Sequence, residues 1–532
     1  MPPVSEKKKN NGLPAFLAVG AITILAFAIR RIHSQDAFGG FLSFNEAWYA
    51  IVASNYNGIA SFLFPTTVYG SIDYNVSPFL SYMLYFWMIV SGMKESALTL
   101  VPVLFSALTC PVLYCLGARL FNRRAGLAAA LFYASAPASV IVGRNVQAES
   151  PYIFFMLLSL LFYLKSGAGE KRRLAPAAVA GLLFGAAFFT KQFAALLLPV
   201  VVLWELAVRR GIKWFGAGQI LFGAAALILP GPFYLYHLYY NRGVMLGAQA
   251  ALSSEKYAVP ALDVFRYMFS EYIWGVSPPL LALALAGIVY SLLKHFHSGL
   301  LILLALAGFN LFFYRWHVHS YYLLFAVPFL CLSAGALVGG ARLRIVSISI
   351  AGTVSCFAAL LSLAMLCSVK YGYGEFRSIG EIVDKQHVKP VVILTDSVAG
   401  SYYPVARFYG RDMDLLRESE LAGLGRETVG FKDRGIFIIG FNEDGKRLPP
   451  SRVFITRNAY GLVFFGCQFV AEMESEHFFK VKKIYFMKNG RPSDFGVVMT
   501  GSYRGIILAY VPPGGKIRIL KPPPDSNPSE IR

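Results

Sequence analysis

Carboxylates are scarce in the first 370 residues, and their positions mark where chemistry could be done. Eleven occur there: Glu6, Asp36, Glu46, Asp73, Glu95, Glu149, Glu170, Glu205, Glu255, Asp263 and Glu271. A carboxylate at a membrane edge is costly to keep, which makes it a functional candidate. Glu46 is the sharpest, in Phe44-Asn45-Glu46-Ala47-Trp48-Tyr49-Ala50. Aromatic neighbours would desolvate it, raise its pKa and fit it as a general base toward a hydroxyl. The plainer alternative is a charge at the start of an amphipathic surface helix. Asp73, in Asp73-Tyr74-Asn75-Val76-Ser77-Pro78, is a second catalytic candidate or simply a helix-entry residue. Glu149, in Arg144-Asn145-Val146-Gln147-Ala148-Glu149-Ser150-Pro151, is a third. Pro151 marks a helix start there, so the acid would sit at the positive end of the helix dipole. Glu95, Glu255 and Asp263 read as solvated loop acids.

Among the cations, Lys191 stands out because it is alone in the apolar turn Thr190-Lys191-Gln192. An ammonium without a counter-ion is expensive at such a place, and a bound phosphate would offset the cost. Snorkelling to the interface is the alternative. Arg144, Arg315 and His319 are further candidates for the same anion, whereas Arg30-Arg31 read as lipid-headgroup anchors. His317 and His319 could ligate a metal, but two histidines alone are a weak signal. No cofactor is certain, and a divalent cation (Mg or Mn) is kept as a candidate. The six cysteines show no disulfide or metal spacing, and all but Cys467 lie in or at the end of apolar runs.

The elements that must position these residues are membrane spans. The 532 residues are 56% hydrophobic and 15% charged, which is membrane composition. The net charge of +20 could suggest nucleic acid, but the basic residues cluster in short connections between apolar runs and no nucleic-acid motif is present. Apolar runs at about 13–29, 97–118, 125–142, 150–164, 174–190, 192–208, 214–238, 272–293, 299–313, 320–338 and 345–369 give about eleven helices. With the Lys7–Lys9 terminus in the cytoplasm, the connections at Arg119–Arg124, Lys165–Arg173, Arg209–Lys213, Lys294–His297 and Arg342–Arg344 all fall inside, as the positive-inside rule asks. Eight of the eleven acids then face outward, all but Glu6, Glu170 and Glu205. The parity requires residues 78–92 to be an interfacial helix. It also requires 174–208 to break in a tight outward hairpin at Thr190-Lys191-Gln192, because one helix of that length would run ~50 Å.

The chain divides into a transmembrane part over 1–370, with a first outward loop at about 30–95, a C-terminal α/β domain over 371–521 and a disordered tail over 522–532. Short apolar runs such as Val391–Leu394, Gly435–Ile439 and Ile506–Tyr510 read as strands, and Phe376–Gln386 as a helix between them.

In order, an outward acid after span one, another before span four, a Thr-Lys turn and a His/Tyr-rich entry to a later span resemble the GT-C glycosyltransferases. The nearest branch is that of the protein O-mannosyltransferases and lipid A aminoarabinose transferases. Asn45-Glu46-Ala47-Trp48-Tyr49 is similar to that branch's first-loop Asp-Glu-x-x-Tyr element, and Tyr74-Asn75-Val76-Ser77-Pro78 to part of a Tyr-x-x-x-Pro-Pro element. "RLFNRR" at 119–124, "GLLFGAAFFTK" at 181–191 and "HSYYLLFAVP" at 319–328 also look like family features. The resemblance covers about residues 10–370.

The resemblance implies an inverting glycosyltransferase, moving a hexosyl or pentosyl group from a polyprenyl-phosphate donor to an acceptor hydroxyl on a lipid, protein or glycan. It implies an enzyme integral to the plasma membrane, amid membrane lipids, with its C-terminal domain extracytoplasmic. Donor phosphate would lie at Lys191, with Arg144, Arg315 or His319. Asn45, Tyr49, Tyr74, Tyr321 and Tyr322 are candidate substrate contacts. The family's first-loop Asp, the base there, falls on Asn45, which cannot accept a proton at neutral pH. Glu46, Asp73 or Glu149 must then take the role. Two rivals stand: a transporter or lipid flippase, and a non-catalytic relative that binds lipid without turnover.

Overall fold

The computed structural model describes residues 12–32, 43–67, 70–74, 77–167, 173–209, 216–247, 261–316 and 320–368, and beyond these mainly strands between 391 and 519. The helices are α1 (Gly12–Arg31), α2 (Ser43–Ser54), α3 (Phe79–Ser91), α4 (Glu95–Leu98), α5 (Leu100–Leu120), α6 (Arg123–Ser135), α7 (Pro137–Ile141), α8 (Glu149–Lys165), α9 (Leu174–Thr190), α10 (Leu197–Arg209), α11 (Ala217–Ala226), α12 (Gly231–Tyr240), α13 (Ala261–Val276), α14 (Pro278–Lys294), α15 (Phe296–Trp316), α16 (Val327–Gly339) and α17 (Arg344–Ser368). Among the described residues three stretches, Leu13–Arg31, Glu95–Leu120 and Arg344–Cys367, are long and apolar enough to cross a membrane, or up to six if each bent helix pair is one span. These are fewer than the eleven apolar runs of the sequence because several of those runs form helices too short or too bent to cross alone. Large apolar side chains such as Phe16, Ile24, Val90, Leu293 and Ile345 point outward from these helices, a surface suited to lipid. The chain is an integral membrane protein.

Proline explains where the spans bend. Ala136 is extended ahead of Pro137, and α6 meets α7 at 63°. α11 meets α12 at 64° around Pro230 and Pro232. The sharpest turn, 106° between α13 and α14, falls at Ser277, which precedes two prolines and carries φ 82. α3 has 13 residues, ~20 Å of helix, which is short of a full crossing.

Small residues let the central helices touch. A Cβ on Gly117 of α5 would come 2.7 Å from the Cα of Gly126 on α6, and one on Gly339 of α16 would come 2.5 Å from the Ala125 nitrogen. α9 uses the same device against α11: a Cβ on Gly181 would strike the Phe222 carbonyl, and one on Gly185 the Ala226 carbonyl. The pair is four residues apart, on one face of the helix that ends at Thr190. Gly185→Val should push α9 off α11, destabilising the protein by about 1–3 kcal/mol in the manner of core overpacking. A lowered melting temperature of the purified variant in detergent would show it, and an unchanged one would refute this packing role.

The chain leaves the helix at Lys191, which is extended (φ −155, ψ 122), and re-forms as a 3-10 turn over Gln192–Leu196. A break therefore falls where one was expected, but not as the tight hairpin, whose two helices would pack on each other. The two helices it joins pack on different neighbours: α9 against α8 and α11, α10 against α15.

Arg30 corrects the sequence reading. It is no lipid anchor but a fully buried side chain. Its guanidinium donates to Ser106 Oγ (2.7 Å), to the Ala26 carbonyl (2.9 Å), to Ser139 Oγ (3.1 Å) and to the carbonyls of Tyr133 and Ala134 (both 3.2 Å). The last two carbonyls lie at the C-terminal end of α6, where the helix itself offers no donors. Arg31, by contrast, is half-buried and donates to the Ser96 carbonyl at 3.0 Å.

Beyond residue 390 the strands run β1 (Val391–Leu394), β2 (Asp414–Arg417), β3 (Thr428–Gly430), β4 (Ile436–Phe441), β5 (Val453–Ile455), β6 (Leu462–Phe465), β7 (Gln468–Met473), β8 (Tyr485–Lys488), β9 (Arg491–Asp494), β10 (Ile506–Val511) and β11 (Lys516–Ile519). Three of them match the strand-length apolar runs of the sequence. They form a five-stranded sheet of order β2-β1-β4-β10-β7, a four-stranded sheet β3-β11-β6-β5 and the pair β8-β9. β1 is parallel to both β2 and β4, which requires crossover connections. The helix expected at Phe376–Gln386 lies outside the described residues.

Candidate functional site

The site is assembled by α2, the loop after it, the loop ahead of α8 and the break after α9. Glu46 sits in the first turn of α2, 2% exposed, and its Oε1 accepts the Val146 backbone N–H at 2.9 Å. That bond ties the first outward loop to the segment leading into Glu149. Two residues on, Trp48 Nε1 donates to Asp73 Oδ2 at 2.7 Å. Tyr49 is buried between them, within electrostatic reach of Glu149, Asp73 and Tyr322. Burial first, and the Glu149 charge second, hold its phenol well above its ordinary pKa, so it stays a hydroxyl donor at any working pH.

Lys191 lies opposite. Its ammonium donates to Glu149 Oε1 in an ion pair whose side chains are 18% and 3% exposed. This corrects the reading of Lys191 as a cation with no protein counter-ion. Aromatic rings enclose the same ammonium, with Tyr322 4.9 Å, Phe193 5.5 Å and Phe325 5.8 Å from it to their centroids. Cation–π attraction helps to keep Nζ in place. Glu149 opens α8, where the unpaired backbone N–H groups also favour its negative charge.

Of the predicted site residues, the structure therefore gathers Glu46, Tyr49, Asp73, Glu149, Lys191 and Tyr322. Two others do different work. Arg144 donates to the Ile32 carbonyl at 2.7 Å, at the end of α1 and within the field of Arg31. The Tyr74 hydroxyl bonds His237 Nδ1 at 3.0 Å, while His237 Nε2 meets the Leu63 carbonyl at 2.6 Å, so this pair fastens the first loop to α12. Asn45 is half-buried beside Glu46. His319 and the side chains of Arg315 and Tyr321 lie outside the described residues. Among the described residues no group of three or more His, Cys, Asp or Glu side chains could hold a metal ion.

Sequence reasoning missed Trp48, His237 and the rings of Phe193 and Phe325. Trp48 and His237 left a signal, one in the quoted first-loop motif and one as the sole imidazole in an aromatic run, Tyr234 to Tyr240. Phe325 likewise lay inside a quoted run, at 319–328, whereas Phe193 left none, because a phenylalanine in an apolar run looks like core.

Residues 75–236 match the family model described as dolichyl-phosphate-mannose-protein mannosyltransferase. An undecaprenyl phosphate-alpha-4-amino-4-deoxy-L-arabinose arabinosyl transferase from Pseudomonas aeruginosa is 34% identical over 158 residues, which are 27% of this chain and 28% of that protein. The chain thus matches little more than a quarter of that relative's length. The whole fold reaches further: ArnT from Cupriavidus metallidurans, solved bound to undecaprenyl phosphate, superposes with a TM-score of 0.63 at 14% identity over 85% of this chain and 97% of that one. The fold is that of the GT-C glycosyltransferases. A GT-C enzyme of another branch, the oligosaccharyltransferase of Archaeoglobus fulgidus tethered with an acceptor peptide, gives 0.52 at 12% identity, covering 82% and 70% of the two chains. Both the profile match and the P. aeruginosa relative agree with the branch named from the sequence, the mannosyltransferases and aminoarabinose transferases.

Proposed function

We propose that this protein is a glycosyltransferase that takes a sugar from a polyprenyl-phosphate donor and passes it to an acceptor hydroxyl at the outer membrane face, with inversion. The observation that carries the reading is Lys191, an ammonium held among three aromatic rings at the end of a span, with the carboxylates of Glu46, Asp73 and Glu149 gathered nearby. The matched relative's name gives undecaprenyl phosphate as its sugar carrier, which supports the same donor class. The lipid tail would lie among the apolar helices and its phosphate at Lys191. Glu46 is the base in this reading: its carboxylate removes the acceptor proton, the acceptor oxygen bonds to the anomeric carbon, and the bond to the phosphate oxygen breaks with its electron pair. Lys191 stabilises the charge that collects on the departing phosphate, a term that grows where water is scarce. In this reading the N-terminus is cytoplasmic and the C-terminal domain extracytoplasmic, as the basic connections between the apolar runs of the sequence support.

The test is incubation of the purified protein with undecaprenyl-phosphate sugars and candidate acceptors, followed by mass spectrometry. A glycosylated acceptor with release of undecaprenyl phosphate is expected. Flipping of the lipid in liposomes with no transfer product would replace this reading with the flippase one. Binding without turnover would favour the non-catalytic relative, for which Asn45 is the argument.

A further inference from the structure

The ion pair at the heart of the site poses a chemical problem. A phosphate that reaches Lys191 meets an ammonium already paired with Glu149, and two anions sharing one cation repel each other, so the phosphate competes with the carboxylate for it. The carboxylate's position answers this. Glu149 lies in the first turn of α8, and the helix N-terminus offsets part of the cost of its charge when the ammonium turns toward a phosphate. The rings of Tyr322, Phe193 and Phe325 hold Nζ through the exchange, so the lysine changes partner without moving far. In an inverting displacement the base and the departing phosphate lie on opposite faces of the sugar. A carboxylate touching Lys191 is on the phosphate's side and poorly placed to be the base.

We infer that Glu149 is a built-in stand-in for the substrate phosphate, holding Lys191 in the empty site, yielding it to the lipid-linked donor and reclaiming it to expel the polyprenyl phosphate product. The inference rests on the donor reading above and adds a role to it. Product release is where it matters most. The donor is a phosphodiester with one negative charge, whereas the product is a monoester carrying about −1.5 to −2 at neutral pH. The product therefore binds Lys191 more strongly than the donor does, and without a competing anion it would stay. Glu149 supplies that anion at fixed, high effective concentration.

The test measures binding of undecaprenyl phosphate to the full-length protein in detergent or nanodiscs. Glu149→Gln should bind it about tenfold more tightly than the unaltered protein, because the competitor is gone. Lys191→Met should bind it more weakly than the unaltered protein. Should Glu149→Gln fail to fold, Glu149→Asp keeps the charge on a shorter arm and should bind several-fold more tightly through a weakened pair. Equal or weaker binding by the folded Glu149 variant, with normal binding by the unaltered protein, overturns the stand-in role alone. No binding by the unaltered protein overturns the donor reading and this inference together.

Discussion

Lys191→Ala should abolish detectable sugar transfer, lowering kcat/KM on the order of 10³-fold in an assay of product by mass spectrometry. The estimate follows from what a buried donor aimed at a leaving group contributes, about 10²–10³ for a single preorganised group, with loss of donor binding added. The variant carries a complication that the ion pair makes explicit: without the ammonium, Glu149 is a buried carboxylate that has lost a partner, a state that costs a few kcal/mol. Inactivity alone could then reflect misfolding. The double variant Lys191→Ala/Glu149→Gln removes both charges and should regain thermal stability while staying inactive. Glu46→Gln makes the companion test cleaner still. Gln keeps an oxygen that can accept the Val146 N–H, so the tie between the two loops survives and only proton acceptance is lost. A fall of about 10²–10⁴ in kcat with little change in donor binding is expected. Full activity in both Lys191→Ala and Glu46→Gln would remove the assignment.

The legibility of this molecule in its sequence was uneven for physical reasons. That the chain is a membrane protein was readable because lipid imposes a length and a composition, but the number of spans was not. About eleven were expected, and three helices, or up to six with bent pairs, are long and apolar enough among the described residues. Three apolar runs near the C-terminus read as strands and are strands. The acids were readable because a carboxylate beside a membrane is rare enough to notice. What the sequence could not supply was pairing across long separations. Glu149 and Lys191 are 42 positions apart, Glu46 and Val146 are 100 apart, and neither pair leaves a local pattern. Lys191 looked solitary for that reason, and Arg144 looked free for the phosphate although it donates to Ile32, 112 positions away. Of the rings around Lys191, Tyr322 was foreseen, but Phe193 was invisible for another reason: phenylalanine in an apolar run has the same signature whether it fills a core or walls a site.

Arg30 was misread by the same logic, and it yields the second large expected effect. A basic pair after a first span suggests headgroup anchoring, and an anchor could be replaced at small cost. The structure instead buries Arg30 completely, with its nitrogens on the Tyr133 and Ala134 carbonyls, on Ser139 and on Ser106. It joins α1, α5 and the α6–α7 break at one point, and that break leads through Arg144 and Val146 to Glu149. Replacing it by methionine would fill much of the volume and strand several buried acceptors at once. Bonds to a charged donor are worth about 1.5–3 kcal/mol each, so losing two, about 3–6 kcal/mol, removes a large share of the ~5–15 kcal/mol that holds a typical domain folded. Arg30→Met should therefore yield little monodisperse protein by size-exclusion chromatography after extraction. Arg30→Lys should recover only part of it, since an ammonium has three donors where guanidinium has five in a fixed fork. Arg31→Met serves as the contrast: half-buried, and donating to the Ser96 carbonyl at 3.0 Å and more weakly to Thr99 Oγ1 at 3.5 Å, it should extract nearly as the unaltered protein does. If Arg30→Met and Arg31→Met behave alike, Arg30 is an anchor after all and the brace between α1 and the Glu149 segment does not exist.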